Sequence, residues 1–165
     1  MISTSQTWKL RGYVGVSVAA LLVARGLVAF VPFVHWRATL GRLVPDAVSP
    51  QSMLSAAAPG MPLVDPGPHP SELRSTLARC VEHAADRLPG HYKCLPKAAA
   101  LQWMLRAWRV PSKLVIAFHV TDRTGPDAYH AWVEVDGAMI IGQCDRTAYR
   151  PIMVFEQTRK PRSVL

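Results

Sequence analysis

The sequence predicts an α+β domain in which helices pack on a small antiparallel sheet, with an apolar helical segment in front. Three observations predict it. Residues 71–88 place Leu73, Leu77, Cys80 or Val81, Ala84 and Leu88 at the 3.6-residue period of a helix with one apolar face. Tyr129–Val135 alternates with a period of two, His130, Trp132 and Glu134 on one face and Ala131, Val133 and Val135 on the other, as a strand does. Asp136-Gly137 then separates that run from the apolar Ala138–Ile141, which is the signal of a two-residue hairpin turn. Helical periodicity precedes strand periodicity along the chain, the order of an α+β fold and not of alternating βα units.

The 165 residues have room for one domain. Half are apolar and 18% are charged, a composition that folds and is neither disordered nor fibrous. A formal charge of +8 draws acidic partners of any kind. The basic residues are scattered, however, and no nucleic-acid-binding fingerprint accompanies them, so nucleic acid is not expected as a partner.

Residues 1–44 form the apolar N-terminal segment. Within it Tyr13–Val34 is long enough to cross a bilayer, and Lys9 and Arg11 in front suit an anchor with its positive side in the cytoplasm. Arg25 in the middle and Pro32 near the end oppose a span, since a charge is costly in lipid and proline breaks the helix. The expectation is a helix, or a helix pair broken near Gly26, packed on the domain or on a partner, with membrane association through residues 13–34 as the other reading. Residues 45–70 hold seven of the fourteen prolines and read as a linker or surface loop. Residues 71–165 form the core. After the first helix, which ends at Pro89-Gly90, a second runs from Cys94 to about Arg109, with Pro96 tolerated in its first turn. Lys113–Val120 is rich in β-branched and aromatic residues and reads as a strand, and Pro151–Phe155 closes the sheet.

Three cysteines, Cys80, Cys94 and Cys144, at spacings of 14 and 50 match neither a disulfide framework nor a Cys-x-x-Cys metal site, which points to a reducing compartment, the cytoplasm. Cys80 and Cys144 read as small buried hydrophobes. Cys94 differs because it stands at a helix N-terminus, where unpaired N–H groups stabilise a thiolate. An imidazole beside it would hold the proton for an acyl-transfer reaction, and His130, at the start of a strand, is the candidate. An unbroken hairpin register pairs Val133 with Ile140 and sets His130 opposite Gln143, with Asp145 one pleat further on the same face. Asp145 is the expected third member and Gln143 its rival. A bulge near Gly142 would bring Asp145 closer. Asp136, six strand residues from His130, belongs to the turn. No metal or other cofactor is expected: Cys94, His119, His130 and Cys144 carry liganding atoms without a recognised spacing.

The segment Cys94-Leu-Pro-Lys-Ala-Ala-Ala-Leu-Gln102, the strand beginning Lys113-Leu-Val-Ile-Ala, the run His130-Ala-Trp-Val-Glu-Val-Asp-Gly137 and the closing Tyr149–Phe155 resemble the peptidase half of the lasso-peptide biosynthesis B protein over about residues 71–157. The resemblance implies a transglutaminase-like, papain-like core with a Cys-His-Asp triad that cuts the leader from a ribosomally made precursor peptide. It further implies a separate leader-recognition protein and an asparagine-synthetase-like cyclase as partners. Cys94 and His130 match the family's nucleophile and base. The family's Asp falls about where Gly142-Gln143 stand here, which leaves Asp145 as a shifted replacement or Gln143 as an amide substitute. Two other readings stand beside this one: a non-catalytic scaffold that holds the precursor, and a transglutaminase joining glutamine to amines.

Overall fold

The computed structural model describes residues 4–44, 70–90, 92–122, 124–125 and 127–158. The predicted linker, residues 45–70, lies outside them except for Pro70. Among the described residues four helices, α1 (Thr4–Phe30), α2 (Phe33–Trp36), α3 (Pro70–Arg87) and α4 (Cys94–Ala107), pack on a five-stranded sheet. Its strands are β1 (Arg42–Leu43), β2 (Ser112–His119), β3 (Tyr129–Val135), β4 (Ala138–Ile141) and β5 (Tyr149–Gln157), in the spatial order β1-β5-β2-β3-β4. All pairings are antiparallel.

The alternation read in β3 decides how the sheet is used. Ala131, Val133 and Val135 face the helices and join Leu77, Val81, Leu101, Leu105, Leu114 and Phe155 in the main core. Trp132, on the opposite face, joins Val115, Ala117 and Val154 in a second, smaller cluster, against which Met139, Cys144 and Tyr149 pack. The chain between β4 and β5 crosses this second face, and Arg146 ties it down with a bond to the Gly137 carbonyl (2.8 Å) and an ion pair to Glu134 (3.0 Å). Burying each large side chain of these clusters contributes about 1.5–3 kcal/mol.

α4 is the axle of the domain. Pro96, Ala98–Gln102, Met104 and Leu105 are all buried, so nearly every face of the helix meets protein. The small Ala98, Ala99 and Ala100 let neighbouring elements approach closely. One polar side chain lies among them. Gln102 Nε2 donates to Leu40 O (2.9 Å), and Oε1 accepts from Ser112 Oγ (3.0 Å), joining α4 to β2 and to the 3-10 turn Arg37–Leu40.

The N-terminal segment shares this core. Leu21, Ala24, Trp36 and Leu40 are buried in the main cluster, and β1 extends the sheet by pairing Arg42 with Glu156. α1 continues unbroken past Gly26; the interruption falls at Val31-Pro32, where proline cannot continue the helix. By length and composition Arg11–Phe30 is sufficient to cross a bilayer. One face of it, through Ser17, Leu21 and Ala24, packs on α3 and α4; Val16, Leu22, Val23 and Phe30 are exposed on the outer side.

Candidate active site

Cys94 is the first residue of α4, reached through Lys93 in extended conformation. No side chain caps this N-terminus, so its first-turn N–H groups are not taken by a capping oxygen. The fold keeps the helix end open for a reason visible in the sheet. β3 begins at Tyr129, and its first residues reach the sulfur: the Cys94 thiol donates weakly to Tyr129 O (3.9 Å) and is in hydrogen-bond contact with the His130 imidazole. The structure thus brings together the two residues on which the chemistry was predicted to depend.

Their protonation is shifted in opposite senses. Burial pushes the Cys94 thiol up, but the His130 hydrogen bond and charge, with the backbone N–H groups of Ala131 and Leu95, outweigh it and the net shift is down. For His130 the bond to Cys94 pushes the imidazole up; burial opposes it, while the Gly142 carbonyl and the Asp127 charge add to it, and the net shift is up. Both shifts favour a thiolate–imidazolium pair.

The other side of the ring corrects the expectation about the third member. His130 Nε2 lies 2.9 Å from the Gly142 backbone carbonyl. A carbonyl only accepts, so Nε2 carries a proton and Nδ1 is the nitrogen left for the thiol. Asp145 is elsewhere. Its exposed carboxylate caps the 3-10 turn Arg146–Ala148, accepting from Thr147 N (2.9 Å) and Thr147 Oγ1 (2.7 Å), and these bonds hold it below the usual carboxylate range. Gln143 does not orient the imidazole either, since its Nε2 donates to Met139 O (3.3 Å).

The cause is one residue of register. The hairpin starts as predicted, Val135 opposite Ala138 and Glu134 opposite Met139, but then Val133 pairs with Ile141, leaving Ile140 as a bulge. The bulge comes earlier than Gly142 and shifts everything beyond it by one position. Gly142 then bends the chain at φ +75°, and a Cβ there would lie 2.5 Å from Ala131 O, so only glycine fits.

The imidazole packs in a cluster with two rings, 5.3 Å from Tyr149 and 6.2 Å from Trp132, centroid to centroid, and those two rings are 6.5 Å from each other. Around it opens a cleft of about 630 Å³ lined by Tyr92, Lys93, Cys94, Asp127, His130 and Gln143 among others. On its near side the loop that delivers Cys94 is fastened by Arg25 of α1. The guanidinium stacks over Tyr92 (5.0 Å), donates to Pro89 O (3.5 Å), and lies so close to Gly90 that any Cβ there would collide with it. The charge that interrupts the apolar N-terminal run therefore faces the loop entering the site.

Four features were missed from sequence: the Gly142 carbonyl, the Tyr149 and Trp132 rings beside the imidazole, the Arg25 anchor and the buried Gln102. The glycine ending a strand beside the predicted base was the one available signal for the first. No curated protein and no solved structure matches the chain. The family model described as the transglutaminase-like superfamily matches residues 27–154, which takes in the last turn of α1, most of the sheet and both residues of the thiol–imidazole pair, and the chain accordingly belongs to the transglutaminase-like superfamily.

Proposed function

We propose that this protein is a cysteine peptidase that removes the leader from a ribosomally synthesised lasso-peptide precursor before an asparagine-synthetase-like cyclase closes the ring. The observation that carries the peptidase reading is the contact of the Cys94 thiol, at an uncapped helix N-terminus, with an imidazole whose proton affinity is raised as that of the thiol is lowered. The sequence resemblance supplies the substrate class.

In this reading the Cys94 thiolate attacks the carbonyl carbon at the leader–core junction, and the oxyanion that forms is met by N–H groups of the α4 N-terminus, that of Cys94 first among them. His130 Nδ1 delivers its proton to the departing amine, leaving a thioester. Water, deprotonated by the same nitrogen, hydrolyses the thioester and restores the thiol. Gly142 O keeps the ring in the tautomer this requires and takes the place expected for Asp145. A separate leader-recognition protein presents the precursor. The three free cysteines suit a reducing cytoplasm, and the exposed Leu22, Val23, Phe30 and Val34 suit contact of residues 13–34 with a membrane surface.

Incubation of the purified protein with precursor peptide and leader-recognition protein, followed by mass spectrometry, tests the reading. Free leader should appear with the mass of one added water, and Cys94→Ala should reduce its rate by at least about 10³-fold while leaving precursor binding intact. Incorporation of an added amine in place of water would make the protein a transglutaminase. A precursor that binds but yields no Cys94-dependent product would make it a scaffold.

A further inference from the structure

Beyond the cleft, two more hollows continue along the same face of α3. Glu82 and Gln143, which stand in the wall of the Cys94 cleft, also border a second hollow of about 600 Å³ between α3 and β4. Ser75 and Arg79, at the far end of the second, border a third of about 590 Å³ that reaches Glu72. The shared walls make one track. From Glu82 to Glu72 it follows ten residues of helix, about 15 Å. An extended peptide covers that length with about four or five residues.

Two properties of the track fit a peptide main chain. β4 is the last strand of the sheet, and among the described residues nothing pairs with its outer edge, where an added strand finds donors and acceptors. The edge carbonyl of Met139 is met by the Gln143 side chain, an amide doing for that carbonyl what a strand's N–H would do. Side-chain selection comes from α3. Glu82 is committed to Lys97 in an ion pair of 2.9 Å, Asp86 and Glu72 border the track at its two ends, and Arg79, exposed where the second and third hollows join, has no ion pair among the described residues.

We propose that the α3–β4 track holds the substrate peptide in extended form on one side of the scissile bond, and that Arg79 selects a carboxylate side chain within about five residues of the cut. The proposal takes its occupant from the peptidase reading and is tested separately from it. The probe is an end-labelled pool of extended peptides of about twelve residues carrying one Glu at varied position, compared with the same pool carrying Lys. Binding to the Cys94→Ala protein is followed by fluorescence anisotropy.

The Glu pool should bind at least about tenfold more tightly, a difference of about 1.4 kcal/mol. Arg79→Glu should reverse the preference, and Ser75→Trp, which fills the track from an exposed position, should weaken both pools about tenfold. Circular dichroism checks that both variants keep the fold. Equal affinity for the two pools, no binding of either, or a preference that survives Arg79→Glu would overturn the proposal. A charge preference without any cleavage sinks the peptidase reading alone. Cleavage indifferent to Arg79 and Ser75 sinks the track alone.

Discussion

Cys94 and Cys144 are both half-buried thiols near enough for the charge of one to act on the other, and their protonation is driven in opposite directions. At Cys144 burial pushes the thiol up; the Arg146 charge opposes this and the Asp145 and Cys94 charges reinforce it, so the thiol stays protonated and packs as an apolar group against the second cluster. Burial acts the same way at Cys94. The difference is what the sulfur meets: an imidazole and two backbone N–H groups directed at it, in place of a neighbouring carboxylate. Placement at a helix start opposite a strand start, and not accessibility, separates a nucleophile from a core residue here.

The sharpest way to break that contrast is to remove the imidazole. His130→Gln takes away the bond and the charge that lower the Cys94 thiol, leaving burial opposed only by the Ala131 and Leu95 N–H groups. Alkylation of Cys94 by iodoacetamide at neutral pH should fall by about 100-fold and recover only in alkali, so that Cys94 titrates in the same sense as Cys144. Mass spectrometry of the two cysteine peptides across pH reads both thiols in one experiment. In the unaltered protein, activity should rise as pH climbs through the Cys94 transition, which the imidazole moves down, and fall as it passes the His130 transition, which the thiol moves up. A Cys94 profile unchanged by His130→Gln would mean that the helix end acts alone.

A smaller effect is expected from the far side of the ring. Gly142→Ala places a Cβ against Ala131 O at a positive φ, costing about 1–2 kcal/mol of backbone strain and displacing the carbonyl from Nε2. Gly137→Ala, in the hairpin turn at φ +77°, introduces the same kind of strain without touching the imidazole. The two variants should lose similar thermal stability, but only Gly142→Ala should lower kcat, by about tenfold, with KM little changed. Equal kcat values would show that the carbonyl does not orient the base.

How far the sequence spoke for itself follows the same division. The elements with a strong period, α3, β3 and the Asp136-Gly137 hairpin, were legible because alternation and turn chemistry are local, and Ala131, Val133 and Val135 do face the helices. His130 was legible because it stands at the start of β3, and Cys94 because Pro96 marks the first turn of α4. The third partner was not, because it is a main-chain oxygen, and its position depends on a one-residue bulge at Ile140 that no side-chain pattern announces. Arg25 was noticed as an intruder in an apolar helix. Its role required knowing that α1 lies beside the Pro89–Tyr92 loop, a contact across 64 residues of chain.

The smallest expected effect discriminates most between the sequence expectation and the structure. Asp145→Asn keeps an oxygen to accept from Thr147 and removes only a charge that stands in solvent, away from the imidazole. Activity should stay within about twofold across the pH range, and Cys144→Ser, beside it, should do no more. If instead Asp145→Asn costs 100-fold or so and the bell-shaped profile loses its alkaline side, the carboxylate must swing onto Nε2 during turnover, displacing Gly142 O. The loop that now crosses the second face of the sheet would then be a moving part of the site, and the contrast between the two cysteines would hold only in the resting protein.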